Sequence, residues 1–176
     1  MSFTDRELWT VIHGMGFGAI FLLAFAGGLA GLWSFRPDFA TPAGLRERLR
    51  RLLAGTWIMA AVAWLTVISG TYKVYPWYRA KPPEGADLGD YPRSYLLANE
   101  NLAGWHTFGM EWKEHVAWMA PILATAVAFV VLRYGMRLAD NPDVRKACIV
   151  LFTIAFFAAA VAGAFGAFIT KAAPLY

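Results

Sequence analysis

Four uninterrupted apolar runs constrain this chain more than any other feature: Leu8–Phe35, Leu52–Tyr72, Val116–Leu132 (extending to Tyr134) and Ala147–Thr170. None carries an aspartate, glutamate, lysine or arginine in its interior. Crossing the hydrocarbon of a bilayer takes about 20 helical residues. In lipid a backbone N–H or C=O finds no water, so each run has to satisfy its hydrogen bonds within itself, as a helix. The expected architecture is all-α, an integral membrane four-helix bundle. Its spans fall at about 8–35, 52–72, 114–134 and 147–170 of one membrane domain covering residues 1–176. Residues 73–113 read as an outer loop with an extra interfacial or protruding helix before the third span.

Composition points the same way. Hydrophobic residues make up 59% of the chain and charged residues 16%, against about 25% charged in a soluble domain. The leader SFTDRE has no net positive charge, and the run after it is about twice as long as a signal peptide's apolar core, so it is expected to stay as a span. The single cysteine, Cys148, excludes an internal disulfide and a paired-cysteine haem attachment. The net charge of +4 sits in short connections, not in a patch shaped for nucleic acid.

Those connections orient the protein. Arg36, Arg46, Arg48, Arg50 and Arg51 follow the first run, and Arg133, Arg137, Arg145 and Lys146 flank the gap between the third and fourth. Short arginine-rich loops stay in the cytoplasm, which puts both termini on the periplasmic side of the inner (cytoplasmic) membrane. Tyr72, Tyr75, Trp77 and Tyr78 then form an outer aromatic belt, and Pro76 closes the second helix. Lys81–Pro92 is turn-rich, and Ser94–Glu114 reads as helix from the spacing of Leu96, Leu97, Leu102, Trp105, Phe108 and Trp112. Pro121 is expected to kink the third helix, and the alanines and glycines of the fourth make a close-packing face, for the bundle or for a partner subunit.

Ionisable groups inside a membrane are costly and mark function. The spans offer His13 and Cys148, with His115 at the edge. That is too few for a proton pump or a charged-substrate transporter, each of which needs such groups across the whole bilayer. With both termini outside, His13 and His115 fall at similar depth on the first and third helices. Two imidazoles so placed suit the axial positions of one haem b, near the outer face. Gly14 and Gly16 leave room for the ring, with Phe17, Trp112, Trp118 and Met119 as its lining. His106 is the alternative second ligand. On a continuous helix it stands nine residues, about 13 Å, above His115, and it reaches the same iron only if the helix breaks near Gly104 or Gly109. A single metal ion on His106, Glu111 and His115, or a quinone at the aromatic rim beside Tyr75 or Trp77, is a different chemistry for the same segment. A di-iron site is excluded, because the other spans hold no carboxylate. Plain readings stand beside these: an interfacial histidine bonded to a carbonyl, and a solvated, salt-bridged EWKEH helix end.

The four-helix layout and the pair His13 and His115 resemble the small membrane-bound b-type cytochromes. These serve as haem-bearing anchor or electron-relay subunits of respiratory and photosynthetic complexes. The resemblance implies electron exchange with a quinol, a periplasmic carrier or another membrane subunit. Two-haem members need four axial histidines and this chain has three, so it implies at most one bis-histidine haem. A cofactor-free accessory subunit of a larger membrane complex is the competing expectation.

Overall fold

In a computed structural model, which describes residues 4–173, 86% of those residues are helical and none lies in a strand. Four helices are long and apolar enough to cross a membrane: Asp5–Ser34, Pro42–Tyr78, Trp105–Leu138 and Pro142–Ala172. Each extends past its apolar run, because polar residues that suit a helix continue it into the interface. The first begins at a capping box, with the Thr4 hydroxyl accepting from the Glu7 N–H and the Glu7 carboxylate accepting from the Thr4 N–H.

The chain divides into two compact units. One contains Ala19–Trp64 and Met119–Phe157. Its core is apolar apart from Arg145 and Thr56, whose hydroxyl donates back to the Leu52 and Leu53 carbonyls and so buries no unpaired group. Phe35, Met59, Val127, Val131 and Phe152 are fully buried there. Phe25 and Phe156 stack at 3.9 Å between centroids, and Phe25 also stacks on Phe152 at 5.6 Å. Two helix C-termini in this unit are closed by arginines from the following helix. Arg48 Nη1 donates to the Ser34 carbonyl at 2.8 Å, and buried Arg145 donates to the carbonyls of Leu138 and Ala139 at 3.3 and 2.9 Å. A cation placed there satisfies orphan carbonyls and meets the negative end of the helix dipole.

The other unit holds the described parts of Met1–Gly18 and Ala158–Tyr176, together with Leu65–Trp118. Leu96, Met110, Ile169 and Tyr78 form its apolar centre, with Trp105, Leu102 and Tyr75 packed against them. The helix expected over Ser94–Glu114 is interrupted. Pro92–Leu97 is helical, residues 98–102 turn, and helix resumes as a continuous lead into the third span. The break is an asparagine turn, in which Asn99 Oδ1 accepts from the Asn101 N–H at 3.0 Å and competes with helix hydrogen bonding. Glu111, Lys113 and Glu114 therefore belong to the same long helix as the third apolar run. The disturbance near Pro121 is a short 3-10 turn over Val116–Trp118, just before the α-helix resumes at Met119.

Candidate functional site: histidines on and beside wide helical turns

Three stretches of π-helix occur among the described residues: Ile12–Gly16, Gly70–Val74 and Trp105–Met110. All three lie in the unit that contains the histidines. Such wide turns are uncommon and concentrate at functional sites, because the extra residue re-aims a side chain. The first carries His13, the third carries His106, and the second opens with Gly70, which lies against the His13 ring. A Cβ at Gly70 would stand 2.9 Å from His13 Cε1, so glycine at this position is what lets the ring lie against the second span.

Hydrogen bonding assigns the tautomer of each ring. Ser69 Oγ donates its only proton to the Thr66 carbonyl at 3.1 Å. With that proton so placed, the contact between His13 Nδ1 and Ser69 Oγ, at 3.0 Å, is one the imidazole donates, and the ring also bonds the Thr66 backbone. Neutral His13 carries its proton on Nδ1 and a lone pair on Nε2. His115 reaches the same state on its own helix: Nδ1 faces the Glu111 carbonyl at 3.0 Å, an acceptor only, with the Glu111 carboxylate 3.4 Å away. His106 differs. Arg93 Nε, a donor only, points at its Nε2 at 3.4 Å, so Nδ1 donates to the Tyr78 hydroxyl at 2.8 Å. The ring that is most buried thus has both nitrogens engaged, whereas His13 and His115 each keep the Nε2 lone pair.

The remaining residues expected at the site fall as follows. Gly14 and Gly16 border open space, since a Cβ on either would meet nothing within 4 Å, and the same holds for Gly18. Phe17 and Trp118 are half-buried, and Met119 is exposed and belongs to the other unit. Trp112 turns to the fourth span, where its indole N–H donates to the Ala158 carbonyl at 3.3 Å and its ring packs near Phe165. His115 has 71% of its side chain exposed. No three histidine, cysteine, aspartate or glutamate side chains converge as metal ligands among the described residues, so His106, Glu111 and His115 are not assembled as a set.

Lys113 is the residue that sequence reasoning passed over. Its ammonium donates to the Ala162 carbonyl at 3.2 Å and occupies the notch at Gly166, where a Cβ would come within 2.8 Å of Nζ. The small residues of the fourth span are thus partly a seat for Trp112 and Lys113. Lys113 is also within Coulombic reach of His13, and it sits two residues from His115. On a helix, residues two apart project from nearly opposite faces, and the His115 side chain is exposed while Lys113 lies against the fourth span.

The Tyr78–His106 pair makes a direct prediction. Tyr78→Phe leaves a buried imidazole N–H without its acceptor and is expected to cost about 1–2 kcal/mol, read by thermal unfolding in detergent. The double variant Tyr78→Phe/His106→Leu removes both partners and should recover part of that loss. Simple additivity of the two changes would show that the pair is not coupled.

Fold and site together define an all-α, multi-pass membrane protein with a histidine-bearing polar cluster in one of its two units. No protein-family model, no curated protein and no solved structure matches the chain.

Proposed function

We propose that this chain is a membrane electron-transfer subunit, with one haem b held by His13 and His115 near the periplasmic face. It would relay electrons between a quinol or periplasmic carrier and a partner membrane subunit. The observation that carries the reading is the like state of the two rings: each is held through Nδ1, which would leave Nε2 to ligate a metal. The donor chemistry suits the group: two imidazoles, each held through Nδ1. The open glycine edge of Gly14, Gly16 and Gly18 leaves room beside His13, and the Glu111 carboxylate stands 3.4 Å from His115 Nδ1. A bound haem supplies one-electron chemistry. The chain's own part is to orient the two imidazoles through Ser69 and the Glu111 carbonyl, and to place the Lys113 cation within Coulombic reach of His13. The exposed side of His115 is where a partner subunit would complete the enclosure. The periplasmic assignment rests on the arginine-rich connections at the opposite ends of the spans.

The absorbance spectrum of the purified protein tests this. A Soret band and a pyridine haemochrome of about one haem per chain are expected. A colourless protein without a haemochrome sinks the proposal and leaves the cofactor-free accessory subunit.

One observation favours a second reading. The hydrogen-bonded chain Tyr78–His106–Arg93 includes the residue next in sequence to Trp105, which with Asn101, Gly104, Phe108 and Phe165 lines a groove of about 290 Å³. Hydrogen-bonding side chains next to an aromatic slot suit a quinone headgroup. Quinone co-extracted from the purified protein, and lost in His106→Leu, would support that site. Retention of quinone in His106→Leu, or none in the wild type, counts against it.

A further inference from the structure

The unit made of Ala19–Trp64 and Met119–Phe157 contains a groove of about 660 Å³ formed by the first two spans. Its apolar length is lined by Ile20, Leu23 and Ile58, all about half exposed or more. Gly27 and Ala54 also line it, and a Cβ at Gly27 would meet nothing within 4 Å, so the missing side chain there is open room. The lining ends at Ser34, Arg48 and Arg51. From Ile20 to Ser34 is 14 residues of helix, about 21 Å, against roughly 15 Å of hydrocarbon in one leaflet.

We propose that this groove binds an anionic phospholipid, with an acyl chain along the apolar length and the phosphate on Arg48 and Arg51. The argument is charge complementarity at one end of an apolar slot. Two guanidiniums one helical turn apart call for an anion, and the slot beneath them calls for a hydrocarbon tail. An anionic lipid brings both in one molecule. The arginines retain capacity for it. Arg48 uses Nη1 on the Ser34 carbonyl and keeps other donors of its planar fork. Arg51 pairs with Glu47 at 3.0 Å, but that pair is exposed on both sides and yields readily to a phosphate. A lipid carries tail and anion in one molecule, whereas a second copy docking a helix in the groove would have to bring one of its few acidic side chains to the two guanidiniums, so the lipid is the better match.

The test is a titration of the full-length protein in detergent with phosphatidylglycerol, followed by thermal unfolding and by lipid retained in native mass spectrometry. Phosphatidylglycerol is expected to raise the unfolding temperature and to be retained; phosphatidylcholine and inorganic phosphate are not. Arg51→Gln, at an exposed position, should weaken the apparent affinity roughly fivefold, the effect of one arginine at an anionic surface. Gly27→Leu, which fills the slot, should abolish retention. Equal stabilisation by phosphatidylcholine, or an unchanged phosphatidylglycerol titration in Gly27→Leu, overturns the proposal. So does a wild-type dimer that Gly27→Leu dissociates, since the groove would then hold a second copy.

Discussion

His13→Ala is expected to abolish the haem absorbance of the purified protein, and His115→Ala to do the same, whereas His106→Ala leaves the band in place. The order follows from the lone pairs. Iron needs a nitrogen that no donor already occupies, and the hydrogen bonds leave such a nitrogen on His13 and His115. On His106 that nitrogen already faces Arg93. Ser69→Ala is a gentler version: the ring keeps its nitrogen but loses the partner that orients it, which lowers affinity by about 10–100-fold for a ligating histidine. Imidazole added to His13→Ala should restore part of the band if the position serves as a ligand and not as packing. His106→Ala is expected to lower thermal stability without bleaching, because it strips the Tyr78 hydroxyl of its buried partner. Bleaching by His106→Ala with His115→Ala unaffected would move the second ligand to His106, and retention of haem in all three variants would end the proposal.

Much of the fold was legible because lipid imposes a severe rule on backbone hydrogen bonds, and apolar runs of sufficient length are hard to explain otherwise. The helix ends were less legible. Ser94–Glu114 reads as a helix that either lies on the surface or projects from the third span; its later part, from Trp105, continues into that span, and the break falls upstream at Asn99–Asn101, where a side chain competes for backbone donors. Lys113 was misjudged for a related reason. A lysine beside two glutamates resembles a solvated helix end, and only the notch at Gly166 with the Ala162 carbonyl gives its ammonium a place against the fourth span. The three π-turns have no sequence period of their own, since they arise where one residue too many must fit between packed contacts. The candidate histidines, and His115 ahead of His106, were readable from their places along the chain, but the order of hydrogen bonds around each ring was not. That order depends on Ser69, Thr66, Tyr78 and Arg93, partners at sequence distances no local pattern can reach.

Gly28→Ala should destabilise the protein by about 1–3 kcal/mol, the range for overpacking a filled core, while Gly27→Ala one residue away should be neutral or slightly stabilising. An added Cβ at Gly28 would come within 2.7 Å of Phe152 Cε1 and 2.8 Å of Cζ. The far end of a flexible side chain could swing aside, but this ring has little freedom. Phe152 is fully buried and stacked on Phe25, which is itself stacked on Phe156 at 3.9 Å. Displacing the ring would disturb that stack, and the second span approaches as well, with a Cβ at Gly55 standing 3.8 Å from the Gly28 nitrogen. At Gly27 the same methyl meets nothing within 4 Å, and alanine is the better helix former. Both substitutions change one hydrogen to one methyl on the same helix, so their difference isolates the packing at Phe152. Thermal or denaturant unfolding in a fixed detergent measures it. Phe152→Leu in the Gly28→Ala background should recover part of the loss by giving the methyl room. Equal behaviour of the two glycine variants would mean that the ring yields freely and that this close approach of the spans contributes nothing to stability.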